Sequence, residues 1–132
     1  MIRAQLLTTQ GPYLEAIVRI NGHDLCLMDE FTVSAASAPD IGGEFDLELT
    51  TLLDDDETWE EVFSGNPEQR IGLVPLGGWR YRAFGQITQI NPVMVNCGLV
   101  QIEDPVQSND SRLIGEYIVF TVARLGGYGY AT

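Results

Sequence analysis

A chain of 132 residues with 45% apolar and 20% charged residues has ordinary globular composition and can bury a core without metal or disulfide staples. It carries 19 acids against seven arginines and no lysine, a formal charge of −12, so its field repels phosphate backbones and disfavours nucleic acid as a partner. No run approaches the roughly 18 consecutive apolar residues of a membrane helix, and two cysteines are too few for a disulfide-built domain.

The distribution of charge says more than its size. Residues 1–66 hold 14 acids against Arg3 and Arg19, whereas residues 67–132 balance five acids with five arginines. Such a first half would attract a cationic protein and speed its encounter. An acidic surface that keeps a small domain soluble explains the same numbers. Arginine forks suit carboxylate pairing, although codon bias in the source genome is the simpler account of an all-arginine set.

The opening "MIRAQLLTTQGPY" has no apolar core of signal-peptide length before its polar "TTQ", so a cytoplasmic protein is expected. The first clear structural signal follows in "YLEAIVRINGHDLCLMDEF". Asn21-Gly22 supplies the two positive-φ residues of a type I′ turn, which predicts a hairpin of Tyr13–Ile20 with Asp24–Phe31. "TVSAASAPDIGG" reads as a loop. In "EFDLELTTL" the apolar Phe45, Leu47 and Leu49 alternate with Glu44, Asp46 and Glu48, which predicts a half-buried strand with an acidic outer row.

"TLLDDDETWEEVF" packs six carboxylates into the eight residues Asp54 to Glu61. Asp54 or Asp55 can cap a helix, and acids in a first turn offset the positive helix end. Trp59, Val62 and Phe63 then form one apolar stripe, and Gly65 with Pro67 stops the helix. The expected element is a short helix of about ten residues laid over the end of a barrel or sheet.

"RIGLVPLGGWRYRAFGQITQINPVMVNCGLVQIEDP" reads as strands broken by turns, with Asn91-Pro92 between Trp79–Ile90 and Val93–Glu103. Gly85 inside a strand suggests a bulge or sharp bend. "EYIVFTVARL" is the last expected strand, and "GGYGYAT" reads as a mobile tail. Three strands, a helix and three strands resemble the OB architecture, with one strand extra, over roughly residues 13–124; the resemblance carries no sequence motif. The expected fold is all-β with one short helix: an antiparallel, partly open OB-like barrel of about six strands, with the helix after the third strand. It forms a single domain over residues 1–132, with 125–132 as a flexible Gly/Tyr tail.

Catalytic and metal-binding patterns fail on particular residues. A calcium loop starting at Asp54 would need glycine where Trp59 stands and glutamate where Gly65 stands. One histidine and two separated cysteines cannot make a standard zinc site. Cys97 in "VNCGLV" has only His23 as a base, and a buried inert thiol is the favoured reading. Paired carboxylates are available in number, yet none is singled out. The glycine-rich "IGG", "LGG" and "GGYG" lack the lysine and context of a phosphate loop. No cofactor and no metal are expected.

Two surfaces remain. One is acidic: Glu44, Asp46, Glu48, Asp54, Asp55, Asp56, Glu57, Glu60 and Glu61, with Trp59 as an aromatic anchor for a basic protein partner. The other is "GGWRYRAFGQ", where Arg80, Arg82 and Phe84 project one way and Trp79, Tyr81 and Ala83 the other. This second strip resembles a ligand or single-stranded nucleic-acid platform. The simpler account pairs Arg80 and Arg82 across strands with the Glu44–Asp46–Glu48 row. The function expected is a non-catalytic, acidic protein-binding module such as an immunity-type inhibitor of a basic toxin. An OB-like ligand binder using Trp79–Phe84 comes second, and a small enzyme centred on Cys97 or paired carboxylates third. No membrane association is expected, and the sequence sets no oligomeric state.

Overall fold

The structure, a computed structural model, describes residues 2–33, 38–54 and 56–131. In chain order its elements are β1 (Ile2–Thr9), β2 (Glu15–Ile20), β3 (His23–Asp29), β4 (Glu44–Leu53), α1 (Trp59–Ser64), β5 (Gly72–Gly77), β6 (Arg80–Gln89), β7 (Met94–Asn96), β8 (Gln101–Glu103), a 3₁₀ turn (Ser111–Leu113) and β9 (Tyr117–Ala131). The protein is mostly β with one short helix. More strands form than the sequence suggests, nine among the described residues, and α1 follows the fourth of them rather than the third. Contacts divide the chain into two compact units: residues 1–52, 77–79 and 124–132, and residues 53–76 and 80–123. Where the sequence suggests one barrel domain over 1–132, the barrel lies in the first unit.

In the first unit five strands close on themselves. β1 pairs antiparallel with β2 and β4, β2 pairs with β3, β9 neighbours β4, and β3 pairs parallel with β9 at Met28↔Gly126 and Asp29↔Gly127. The barrel is closed rather than partly open. The β2–β3 turn has the expected chemistry, with Asn21 at φ 49° and Gly22 at φ 80°. Period-2 alternation fills the interior: Ala4 and Leu6, Ala16, Val18 and Ile20, Leu25 and Leu27, Phe45 and Leu47 are all buried. Each large side chain among them contributes roughly 1.5–3 kcal/mol by leaving water. Phe31 lies against Phe45 with ring centroids 4.9 Å apart.

The segment expected as a loose tail is a strand of this ring. Its glycines answer a steric demand. A Cβ on Gly127 would stand 2.5 Å from Leu47 Cδ1, and one on Gly129 would stand 2.5 Å from the Asp46 carbonyl oxygen. Glycine lets β9 approach β4 that closely.

In the second unit β6 is central. It pairs antiparallel with β9 from Tyr81↔Val122 to Gln86↔Tyr117 and with β7 from Gln86↔Asn96 to Gln89↔Met94; β5 also pairs with β6, and β8 with β7. Tyr81, Ala83 and Ile87 share one buried face with Ile118, Phe120 and Val122. Gly85 lies on that face, where an added Cβ would stand 2.5 Å from Val95 Cγ1 and 3.0 Å from Cys97 Sγ. Its place in the strand therefore reflects close packing; the bulge of this pair falls later, between Ile87 and Gln89. The opposite face carries Arg82, Phe84, Val119 and Thr121, and α1 lies over it: a Cβ on Gly65 would stand 2.3 Å from Val119 Cγ1. Among the described residues no helix is long and apolar enough to cross a membrane.

Candidate partner-binding surface

In the carboxylate run beginning at Asp54, two of the described members are tied to arginines and three are left open. After β4, the Asp54 N–H donates to the Thr121 carbonyl at 3.1 Å, and the Asp54 carboxylate accepts from Arg80 Nη2 at 2.8 Å. Glu57 turns inward. Its Oε2 accepts from Arg82 Nη1 at 2.7 Å, and its Oε1 accepts from the Thr121 N–H. Arg82 Nη1 also reaches Thr121 Oγ1 at 2.7 Å. This half-buried triad anchors the chain leading into α1. Glu57, Glu61, Ser64, Gly65, Arg82 and Thr121 line an open polar groove of about 490 Å³ beside it.

The helix cap is Thr58 rather than Asp54 or Asp55. Thr58 Oγ1 accepts from the Glu61 N–H at 3.2 Å, and Glu61 Oε2 accepts from the Thr58 N–H at 2.9 Å, a reciprocal capping box. Two orphan amides are satisfied by this arrangement, which the pattern Thr58-x-x-Glu61 already carries. The helix covers six residues, shorter than expected, and Gly65 ends it. Val62 is buried. Trp59 stacks on Phe63 with centroids 4.7 Å apart, yet remains 52% exposed. Asp56, Glu60 and Glu61 are exposed, and among the described residues no arginine pairs with them. Asp55 lies outside the described residues.

The acidic row of β4 sits elsewhere, in the first unit. Its expected ladder with Arg80 and Arg82 does not form. The neighbour of β4 is β1, in register Arg3↔Asp46, so Arg3 takes both Glu44 at 3.7 Å and Asp46 at 3.3 Å. Glu48 has no ion pair among the described residues. Solvent-exposed pairs of this kind contribute about 0–1 kcal/mol. The charge contrast between sequence halves also fails to map onto the units. The first holds eight acids with three arginines, and the second eleven with four.

The strip Trp79–Phe84 alternates as expected, with Arg80, Arg82 and Phe84 outward and Tyr81 and Ala83 buried. Its outward groups are occupied: Arg80 by Asp54, Arg82 by Glu57, and Phe84 by the guanidinium of Arg70, 4.3 Å from the ring centre. Trp79 is half-buried just before β6, where its carbonyl accepts from the Leu125 N–H. Both arginines expected to meet a ligand are thus taken by two of the acids expected to meet a partner, Asp54 and Glu57.

Cys97 is fully buried, and desolvation pushes its thiol up to about 12. Cys26 is half-buried, its thiol raised by burial and by Glu15. His23 is exposed at the start of β3. Among the described residues no three His, Cys, Asp or Glu side chains gather as a metal site. No family model matches the chain, and neither a curated protein nor a solved structure matches it.

Proposed function

We propose that the chain is a non-catalytic module that binds a basic protein through the exposed face of α1, with an immunity-type inhibitor of a cationic toxin as its concrete form. The observation that carries this reading is Trp59. A large aromatic ring, fixed from behind by Phe63, stands half in water with the uncompensated carboxylates of Asp56, Glu60 and Glu61 beside it. Aromatic anchors of this kind dominate interface energetics, and surrounding carboxylates favour a partner rich in Arg and Lys. Asp54 and Glu57 serve the reading indirectly, by anchoring the segment that presents the helix.

The OB-like character of the barrel belongs to the same proposal. Around the ring the order β1-β2-β3-β9-β4 returns to β1, with β3 and β9 parallel, and such a Greek-key closure of five strands supports an OB-type barrel. The remaining strands and α1 lie between β4 and β9 in sequence.

The test is affinity capture from the source cells on the immobilised chain. Wild type should retain a basic protein at low salt and release it as salt rises. Trp59→Ala, and separately the pair Asp56→Asn and Glu60→Gln, should each weaken retention about tenfold or more without lowering thermal stability. Equal retention by the variants, or capture of no basic protein, removes the proposal.

A further inference from the structure

We infer that Tyr13 and Leu14 form a second docking element, an apolar knob that enters an apolar socket rimmed by cationic side chains on a basic protein partner. This rests on reading the chain as a module for such a partner, but on different residues in the other unit. Tyr13 is 58% exposed and Leu14 50%. Two adjacent large apolar side chains held in water are costly, and here their backbone is unfavourable as well. Tyr13 has φ 63°, in the left-handed region that an aromatic residue rarely adopts.

The fold holds this conformation with a dense set of bonds. The Tyr13 N–H donates to the Asp29 carbonyl at 2.7 Å, and the Asp29 N–H returns to the Leu14 carbonyl at 2.8 Å. The Leu14 N–H reaches the Gly11 carbonyl at 3.1 Å, and the Gln10 N–H reaches the Glu15 carbonyl at 3.0 Å. Beneath them the fully buried Asp29 carboxylate accepts from Thr9 Oγ1, and Thr9 Oγ1 in turn accepts from the Gly11 N–H at 3.1 Å. The loop from Thr9 to Glu15 is therefore tied to one buried residue, through the Asp29 carboxylate at Thr9 and through the Asp29 backbone at Tyr13 and Leu14. Ordering loops and side chains on binding costs affinity, and a knob ordered in advance avoids that cost.

Charge selects the occupant. Exposed Glu15 follows Leu14 directly, the segment 9–15 contains no basic residue, and the unit holds eight acids against three arginines. A cationic rim around the socket complements this setting. A second copy of the chain would bring like charge to it.

The experiment places the photoreactive residue p-benzoylphenylalanine at position 13 in the source cells, with the exposed Ile114 position as control. The captured protein is then identified, purified and titrated against the wild-type chain and three variants. The proposal expects a basic protein crosslinked from position 13 above the control. It also expects binding weakened about tenfold or more by Tyr13→Ala, as for an interface anchor. Tyr13→Asn is the decisive variant. Asparagine tolerates the left-handed backbone, so the melting temperature should hold or rise while binding falls. No crosslink above control, an acidic partner, a second copy of this chain, or binding indifferent to both Tyr13 variants overturns it. Trp59→Ala separates the two readings. If it weakens binding while Tyr13 variants do not, the α1 surface survives and the knob does not; capture of no basic protein removes both.

Discussion

The carboxylate of Asp29 has no ion pair among the described residues, and it is satisfied by two hydroxyls, of Thr9 and Thr32, and by the N–H groups of Phe31 and Thr32 at 3.0 and 2.8 Å. Removing it leaves those donors, buried at Phe31 and half-buried at Thr9 and Thr32, without their acceptor, and an unsatisfied buried donor costs about 1–3 kcal/mol. Asp29→Ala should therefore lower stability by on the order of 3 kcal/mol, read as a shift in the urea midpoint; a loss below about 1 kcal/mol would mean that water replaces the carboxylate. Cys97 makes a pH prediction. Burial pushes its thiol from the ordinary 9.0 up to about 12, so between these values only the unfolded chain releases that proton. Its stabilising effect is complete below pH 9 and is lost as pH rises towards 12. Wild type should then lose up to about 1.4 kcal/mol per pH unit more than Cys97→Ala across this window. Parallel pH profiles of the two proteins would refute the burial argument.

Among the elements, β9 bears the most steric constraint. Gly127→Val should clash with Leu47 and disrupt the closing pairs with β3, a loss of several kcal/mol of the kind that strained small-to-large core changes produce. Hydrogen exchange should show Met28 to Glu30 losing protection first; unchanged protection would mean that β9 does not close the ring. This element also marks where sequence reading stops. The β2–β3 hairpin was legible because Asn21-Gly22 determines its turn locally, and the alternation of β4 was legible because period 2 is local too. The helix is legible in its apolar stripe, whereas its Thr58–Glu61 cap is masked by the nearby aspartates, which offer a second plausible cap. "GGYGYA" has the composition of a tail, and only the distances to Leu47 and Phe45 reveal why it must be glycine-rich. The arginine pairings were equally hidden, since they depend on β1 rather than β6 lying beside β4.

For the whole molecule, a charge of −12 opposes compaction through self-repulsion, and its ion pairs are mostly exposed. Screening acts over roughly 10 Å at 0.1 M salt, so it relieves the repulsion more than it weakens close pairs. Sodium chloride should raise the thermal midpoint. A fall instead would show that pairs such as Arg82–Glu57 outweigh the repulsion. Of the candidate surface, the sequence made Trp59 and the open helix acids visible. It could not reveal that Asp54 and Glu57 are spoken for, because their partners lie well along the chain in β6.

Met28 and Gly126 pair although about three quarters of the chain's length separates them, and β9 supplies strands to both units, through residue 123 to one and from residue 124 to the other. During synthesis the ring must wait, with the free edge of β3 exposed, until Gly126 and Gly127 have left the ribosome. Such distant pairing makes folding slow and leaves a sticky intermediate. Ribosome-bound chains should stay protease-sensitive in β3 until that moment, which makes this step the point of greatest exposure to aggregation.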